Sequence, residues 1–122
     1  MKMLNAVLDV NERQPYQVAA ILERNVGPLN GKKVLLLGLS FKPESDDVRE
    51  APSLKIAAAL LDKGAALYAH DPVAADNFRK AIGSQAARIN FIQNWEHFFT
   101  DSEIVVVATA WQEYLKIPEM ET

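Results

Sequence analysis

Two short, almost unbroken apolar runs constrain this chain most: Lys33-Val-Leu-Leu-Leu-Gly-Leu39 and Glu103-Ile-Val-Val-Val-Ala-Thr109. A strand that is apolar at nearly every position has no face to give to water, so it belongs inside a sheet covered on both sides. Between the runs the pattern alternates. Pro52 opens a helix through Lys63, with Leu54, Ala57, Ala58 and Leu61 on one face and Gly64 as the stop. Ala65–His70 is a strand, and Asp71-Pro72 turns it into a helix from about Val73 to Ile82. Ala87–Ile92 is a short strand, and a short helix around Trp95–Phe99 precedes the second apolar run. Trp111–Leu115 begins a further helix or turn. Strands separated by helices imply parallel pairing with right-handed crossovers, hence an α/β domain with a doubly wound parallel sheet.

The segment before this pattern reads differently. From Met3 to about Val26, Leu4, Val7, Leu8, Val18, Ile21 and Leu22 recur at three- and four-residue steps, which predicts a helix. Pro15 should kink or divide it near Asn11–Gln14, because proline removes a backbone donor. Gly27-Pro28 ends the segment and Asn30-Gly31 makes a turn. Much of such a helix would find nothing to pack on in a domain this small, which points its N-terminal half to an interface. The chain ends at Thr122 with no strand after the second apolar run. Open sheets of this type commonly carry one or two more, so the expectation is a domain cut before its last strand.

The chemistry concentrates where the first apolar strand ends. Gly38-Leu-Ser-Phe-Lys-Pro-Glu-Ser-Asp-Asp-Val-Arg-Glu-Ala-Pro-Ser53 sets two fixed cations, Lys42 and Arg49, among carboxylates. A loop this long inside a compact domain tends to be functional, and ligands of open α/β sheets bind outside the carboxyl ends of the strands. A dinucleotide fingerprint needs three closely spaced glycines; here Gly38 stands alone. The loop offers side chains instead. Lys42 can meet a phosphate as a point charge and Arg49 can grip one with two bonds. Alternatively both are solvated, or paired with Glu44, Asp46, Asp47 or Glu50. Asp46 or Asp47 could form a turn or hold Arg49 in place. Asp71 stands where cofactor-binding domains carry a ribose-binding carboxylate, but without the glycines it reads better as a turn and helix start. Thr109, Trp111 and Glu113 fall on the same carboxyl edge, with Trp111 read as core or a domain-contact anchor.

Composition removes other classes. A net charge of −3 with no basic stripe argues against nucleic-acid binding. The absence of cysteine excludes disulfides, thiolate metal sites and a cysteine nucleophile within this sequence. His70 and His97 lack metal-ligand spacing, so no metal site is expected. No apolar run approaches the ~20 residues of a membrane span, and the start lacks a signal-peptide core. A cytoplasmic protein is the default.

Asn11-Glu-Arg-Gln14, the long motif Gly38–Pro52, His70-Asp-Pro72 and Ala108-Thr-Ala-Trp-Gln-Glu113 together resemble, in order and spacing, the C-terminal domain of the UDP-glucose/GDP-mannose dehydrogenase family. The likeness covers about residues 1 to 115, and the long loop motif is its specific part. The resemblance implies a Rossmann-like domain that closes over a UDP-sugar, preceded by the end of a long central helix at a homodimer interface. It divides the chain into residues 1–27, the end of that helix, and 28–122, the nucleotide-sugar domain. The family oxidises the C6 hydroxyl of a nucleotide sugar to a carboxylate with NAD, through a covalent intermediate on a cysteine. Ser40, Phe41 and Lys42 match its sugar-nucleotide contacts, Lys42 at the phosphate and the others near the ribose. Arg49 matches a residue reaching NAD, which is held mainly by an N-terminal domain. Neither that domain's glycine-rich loop nor the catalytic cysteine occurs here, so this chain alone would not be catalytic. UDP-glucose is the default substrate, ahead of UDP-N-acetyl sugars and GDP-mannose. A stand-alone Rossmann-like nucleotide-binding or protein-interaction module is the competing reading, and a separate small NAD-binding protein a third.

Overall fold

A computed structural model describes residues 6–9, 17–42, 45–49, 51–109 and 111–116. Among these residues five parallel strands form one sheet in the order β1-β5-β2-β3-β4. They are β1 (Ala6–Asp9), β2 (Lys33–Leu37), β3 (Ala66–His70), β4 (Ile89–Phe91) and β5 (Ile104–Val107). The helices are α1 (Val18–Val26), α2 (Pro52–Asp62), α3 (Ala75–Ile82) and α4 (Trp95–Phe99), with 3-10 turns at Gly83–Arg88 and Gln112–Lys116. The doubly wound α/β architecture expected from the alternating pattern is therefore present.

The apolar runs sit where their composition requires. Val34 and Leu36 of β2, with Ile104 and Val106 of β5, face a core built with Val18 and Leu22 of α1, Ile56 and Leu60 of α2 and Phe78 of α3. Leu35, Leu37 and Val105 face the opposite layer, made by Trp95, Phe99 and Tyr114. Successive strand residues point to opposite faces, so two covered faces demand an apolar residue at every step. Pro52 occupies the first turn of α2, where its missing N–H costs nothing.

One expectation is overturned. The three-four spacing predicted a helix from Met3, but Ala6–Asp9 is a strand running parallel to β5, with Ala6 opposite Ile104 and Asp9 opposite Val107. Short apolar runs do not discriminate helix from strand by period. Here the outer edge of β5 supplies a row of backbone donors and acceptors that a strand satisfies and a helix cannot. Among the described residues of this segment the helical part is α1, whose Val18, Ala19 and Leu22 are buried in the main core. Pro15 and the motif Asn11–Gln14 lie outside the described residues. Ala87–Ile92 is also shorter than expected, with Ile89–Phe91 as strand after the 3-10 turn.

Strand order locates the site. From β2 the chain crosses to β3 and then β4, and then returns to place β5 on the other side of β2. Neighbouring strands β2 and β5 therefore bracket the topological switch point, where a crevice opens at the carboxyl ends of an open sheet. Residues 38–42 and 108–109 leave the sheet at that point.

Candidate functional site

The exit of β2 is held from all sides. Gly38 has a φ of +89°, and its N–H donates to the His70 carbonyl at 2.8 Å. The N–H groups of Leu39 and Ser40 both donate to Asp71 Oδ2, at 2.7 and 3.2 Å. The Leu39 carbonyl accepts from Ser53 Oγ of α2 at 2.8 Å, and the Ser40 carbonyl accepts from Thr109 Oγ1 at 2.6 Å. The Ser40 hydroxyl donates to the Lys42 carbonyl at 2.8 Å. Farther on, the Phe41 N–H donates to the Asp47 carbonyl at 2.7 Å, and Asn77 of α3 donates to the Asp46 carbonyl at 2.9 Å.

The result is a rigid root carrying an open tip. Leu39 and Ser40 are fully buried, whereas Phe41 is 55% exposed and Lys42 is exposed. Among the described residues, Lys42 forms no ion pair with a carboxylate. Exposed Lys42, without a carboxylate ion pair among the described residues, and the exposed Phe41 next to it in sequence, both at the switch point, suit a ligand with phosphate and an apolar or aromatic face. The sequence grouped Ser40 with these two as ligand contacts. The structure separates them: the Ser40 hydroxyl closes the turn onto Lys42 and shapes the loop from inside.

Arg49 sits on the far limb of the loop. Its Nε and Nη2 donate to the two Asp47 carboxylate oxygens at 3.1 and 3.0 Å, and its N–H reaches Asp47 Oδ1 at 2.9 Å. Of the partners left open by sequence, Asp47 holds Arg49, and these bonds set the Asp47 carboxyl below its ordinary range. The Arg49 side chain remains 88% exposed, so the pair orients the guanidinium without burying it. Arg49 also borders a shallow cleft of about 620 Å³ between the loop and α3, together with Asn77 and Lys80.

Asp71 is the centre that sequence reading underrated. Besides Leu39 and Ser40, its Oδ2 accepts from Trp111 Nε1 at 3.1 Å, and its Oδ1 accepts from the N–H groups of Val73 and Ala74 at 2.9 and 2.8 Å. The backbone amides at the strand exit, which could have cradled a phosphate, are thus turned onto an internal carboxylate. That arrangement, with a lone Gly38, does not fit a dinucleotide pyrophosphate. Asp71 forms the turn that its Asp-Pro context suggested, whereas the helix expected from about Val73 starts at Ala75 with Ala74 at its N-cap; Asp71 also ties together three strand exits. The Trp111 ring is partly buried against the second apolar layer, and its indole N–H is bonded to Asp71.

Beside this hub lies a second group of polar side chains, buried at His70 and Tyr114 and exposed at Glu113. The Tyr114 hydroxyl lies 3.1 Å from the His70 carbonyl, to which it can donate, and 2.8 Å from His70 Nδ1. Glu113 accepts from Trp95 Nε1 at 3.0 Å and stands 3.8 Å from His70 Nε2. Burial lowers the His70 pKa, while the carboxylates of Glu113, Asp71 and Glu96 pull it weakly upward. Burial likewise pushes the Tyr114 phenol far above its usual range. Since folding depresses the His70 pKa, the unfolded chain binds the extra proton more readily. Thermal stability should therefore be full above the ordinary histidine value of about 6.5 and fall as pH drops through it. Melting curves from about pH 8 to 5 should show that decline, and His70→Gln should flatten it; an equal slope in both would refute it.

These features can be set beside known proteins. Residues 35–122 match the UDP binding domain of the UDP-glucose/GDP-mannose dehydrogenase family. The chain belongs to that family. The UDP-glucose 6-dehydrogenase AglM of Haloferax volcanii is 33% identical over 118 residues, which cover 97% of this chain and 26% of the relative. YwqF of Bacillus subtilis, also a UDP-glucose 6-dehydrogenase, is 33% identical over 117 residues, 96% of this chain and 26% of its own. A UDP-glucose dehydrogenase structure from Pyrobaculum islandicum superposes with a TM-score of 0.76 at 38% identity, over 86% of this chain and 24% of that one. The chain thus spans about a quarter of the length of these relatives. The family match includes β2 from Leu35 onward, its exit loop, Asp71 and Trp111.

Proposed function

We propose that this UDP-binding domain forms the nucleotide-sugar half of the active site of an NAD-dependent UDP-glucose 6-dehydrogenase, which oxidises UDP-glucose to UDP-glucuronate. The observation that carries the reading is the exposed Phe41–Lys42 tip on a fully braced root at the β2–β5 switch point. Lys42 balances diphosphate charge and Phe41 packs against the nucleoside. Ser40 contributes by fixing the turn from which Lys42 projects. The domain supplies no catalytic group of its own, and the reacting cysteine belongs to another part of the enzyme.

NAD is held by a separate, N-terminal domain of the same enzyme. The fully satisfied amides at the β2 exit leave no pyrophosphate cradle here. Arg49, exposed and aimed by Asp47, adds one contact from this side. A homodimer is included in the proposal. The cytoplasm is the proposed compartment; among the described residues no helix is long and apolar enough to cross a membrane.

The direct test is a thermal-shift and calorimetric panel on the full-length enzyme with UDP-glucose, a UDP-N-acetyl sugar, GDP-mannose and NAD. UDP-glucose should bind and be oxidised; turnover of none of the sugar nucleotides would overturn the reading. In the same enzyme Arg49→Ala should raise the KM for NAD about fivefold to tenfold, the size of one charge-assisted hydrogen bond partly screened by water. The KM for UDP-glucose should stay within about twofold, because Arg49 is placed on the other ligand. A normal NAD response would remove Arg49 from the site.

A further inference from the structure

The switch point contains a relay that none of its expected ligand contacts explains. Residues far apart in sequence converge on one carboxylate: Leu39 and Ser40 after β2, Val73 and Ala74 after β3, and Trp111 after β5. A carboxylate offers about four lone-pair sites, so five donors leave it no capacity for a ribose hydroxyl. Asp71 is 7% exposed. The Trp111 indole has a single polar hydrogen, and the bond at 3.1 Å to Asp71 uses it.

We infer that Asp71 and Trp111 are positioning residues for the sugar-nucleotide loop, acting through the chain of contacts from the Trp111 indole to Asp71 and on to the Leu39 and Ser40 amides. This rests on the reading of Phe41 and Lys42 as the UDP-sugar tip. The path to the ligand is short. Asp71 fixes the Ser40 amide, and the Ser40 hydroxyl fixes the Lys42 carbonyl. The Ser40 carbonyl is separately held by Thr109, two residues before Trp111, so the segment after β5 grips the loop at two points. Bonds to an ionised acceptor are about twice as strong as neutral ones, which suits a joint that must hold its angle while Lys42 accepts charge. Were Trp111 merely core filling, its ring volume would matter and its N–H would not.

Trp111→Phe separates the two cases, since it keeps a large aromatic ring and deletes the donor. In the full-length enzyme it should raise the KM for UDP-glucose about threefold to tenfold, the range of one hydrogen bond to a charged group that is partly compensated by water. The KM for NAD and kcat should stay within about twofold. Amide hydrogen exchange should quicken at Leu39 and Ser40 while the amides of β2 keep their protection. Asp71→Asn, which turns an NH2 toward at least one set of donors, should move the same quantities further. An unchanged KM for UDP-glucose in Trp111→Phe, or a parallel rise in both KM values, overturns the inference. Failure of the wild-type enzyme to take UDP-glucose is read before any variant is made, and it overturns the functional reading and this inference together.

Discussion

Replacing Lys42 with alanine is expected to raise the KM for UDP-glucose about tenfold to a hundredfold, with the KM for NAD nearly unchanged. The magnitude follows from one charge-assisted hydrogen bond, about 1.5–3 kcal/mol, at a position where a bound nucleotide would displace water. Two features keep the estimate from the low end typical of surface charges. The Ser40–Lys42 turn holds the root of the side chain, so binding orders only the lysine stem. Among the described residues no carboxylate has to be given up before Lys42 meets a phosphate. Raised salt should weaken wild-type binding more than that of the alanine variant, because screening acts on the charge that the variant lacks. Lys42→Arg should recover part of the loss, since a planar fork replaces a compact ammonium on a site built for a point charge. A KM for UDP-glucose that stays unchanged in the alanine variant would refute the assignment.

How far the sequence discloses this domain depends on the range of the interaction that makes each feature. The continuous apolar character of β2 and β5 is a local record of two covered faces, and Pro52 and Gly64 are local marks of helix α2, so these are legible. The loop between Gly38 and Ser53 is legible too, because two fixed cations after an apolar strand are a compositional anomaly. Segment Ala6–Asp9 is not, since its residues suit either helix or strand and the edge of β5, nearly a hundred positions away, decides the matter. Nor is the burial of Ser40. A serine beside Phe41 and Lys42 gives no local sign that Thr109, 69 residues on, is bonded to its carbonyl. Asp71 shows the same limit most clearly: its neighbours in sequence explain the Val73 and Ala74 bonds, but the bonds to Leu39 and Trp111 span 32 and 40 residues. Such contacts exist only after the sheet has ordered its strands, so they are products of topology.

Gly38→Ala should cost the domain about 2–5 kcal/mol, joining a left-handed backbone penalty of about 1–2 kcal/mol to an overpacking cost of about 1–3. At a φ of +89° any Cβ is strained, and one built there would lie 2.5 Å from both the Cβ and the carbonyl oxygen of Thr109. Thr109 cannot easily retreat. Its hydroxyl is bonded to the Ser40 carbonyl, and the Ala108 N–H before it is bonded to the Leu37 carbonyl at 2.9 Å. The strain therefore falls on the β2–β5 junction itself, so relief would pull the two walls of the crevice apart. A domain of this size should melt roughly 10–20 °C lower, and whatever remains folded should bind UDP-glucose less well. Gly83→Ala is the control: Gly83 shares the positive φ, at +71°, but an added Cβ meets nothing within 4 Å. It should carry only the backbone part, about 1–2 kcal/mol, with no change in the KM for UDP-glucose. Equal losses at the two glycines would mean that backbone conformation alone sets the cost. A clearly larger loss at Gly38, accompanied by weaker UDP-glucose binding, would place the close approach of Gly38 and Thr109 at the base of the site.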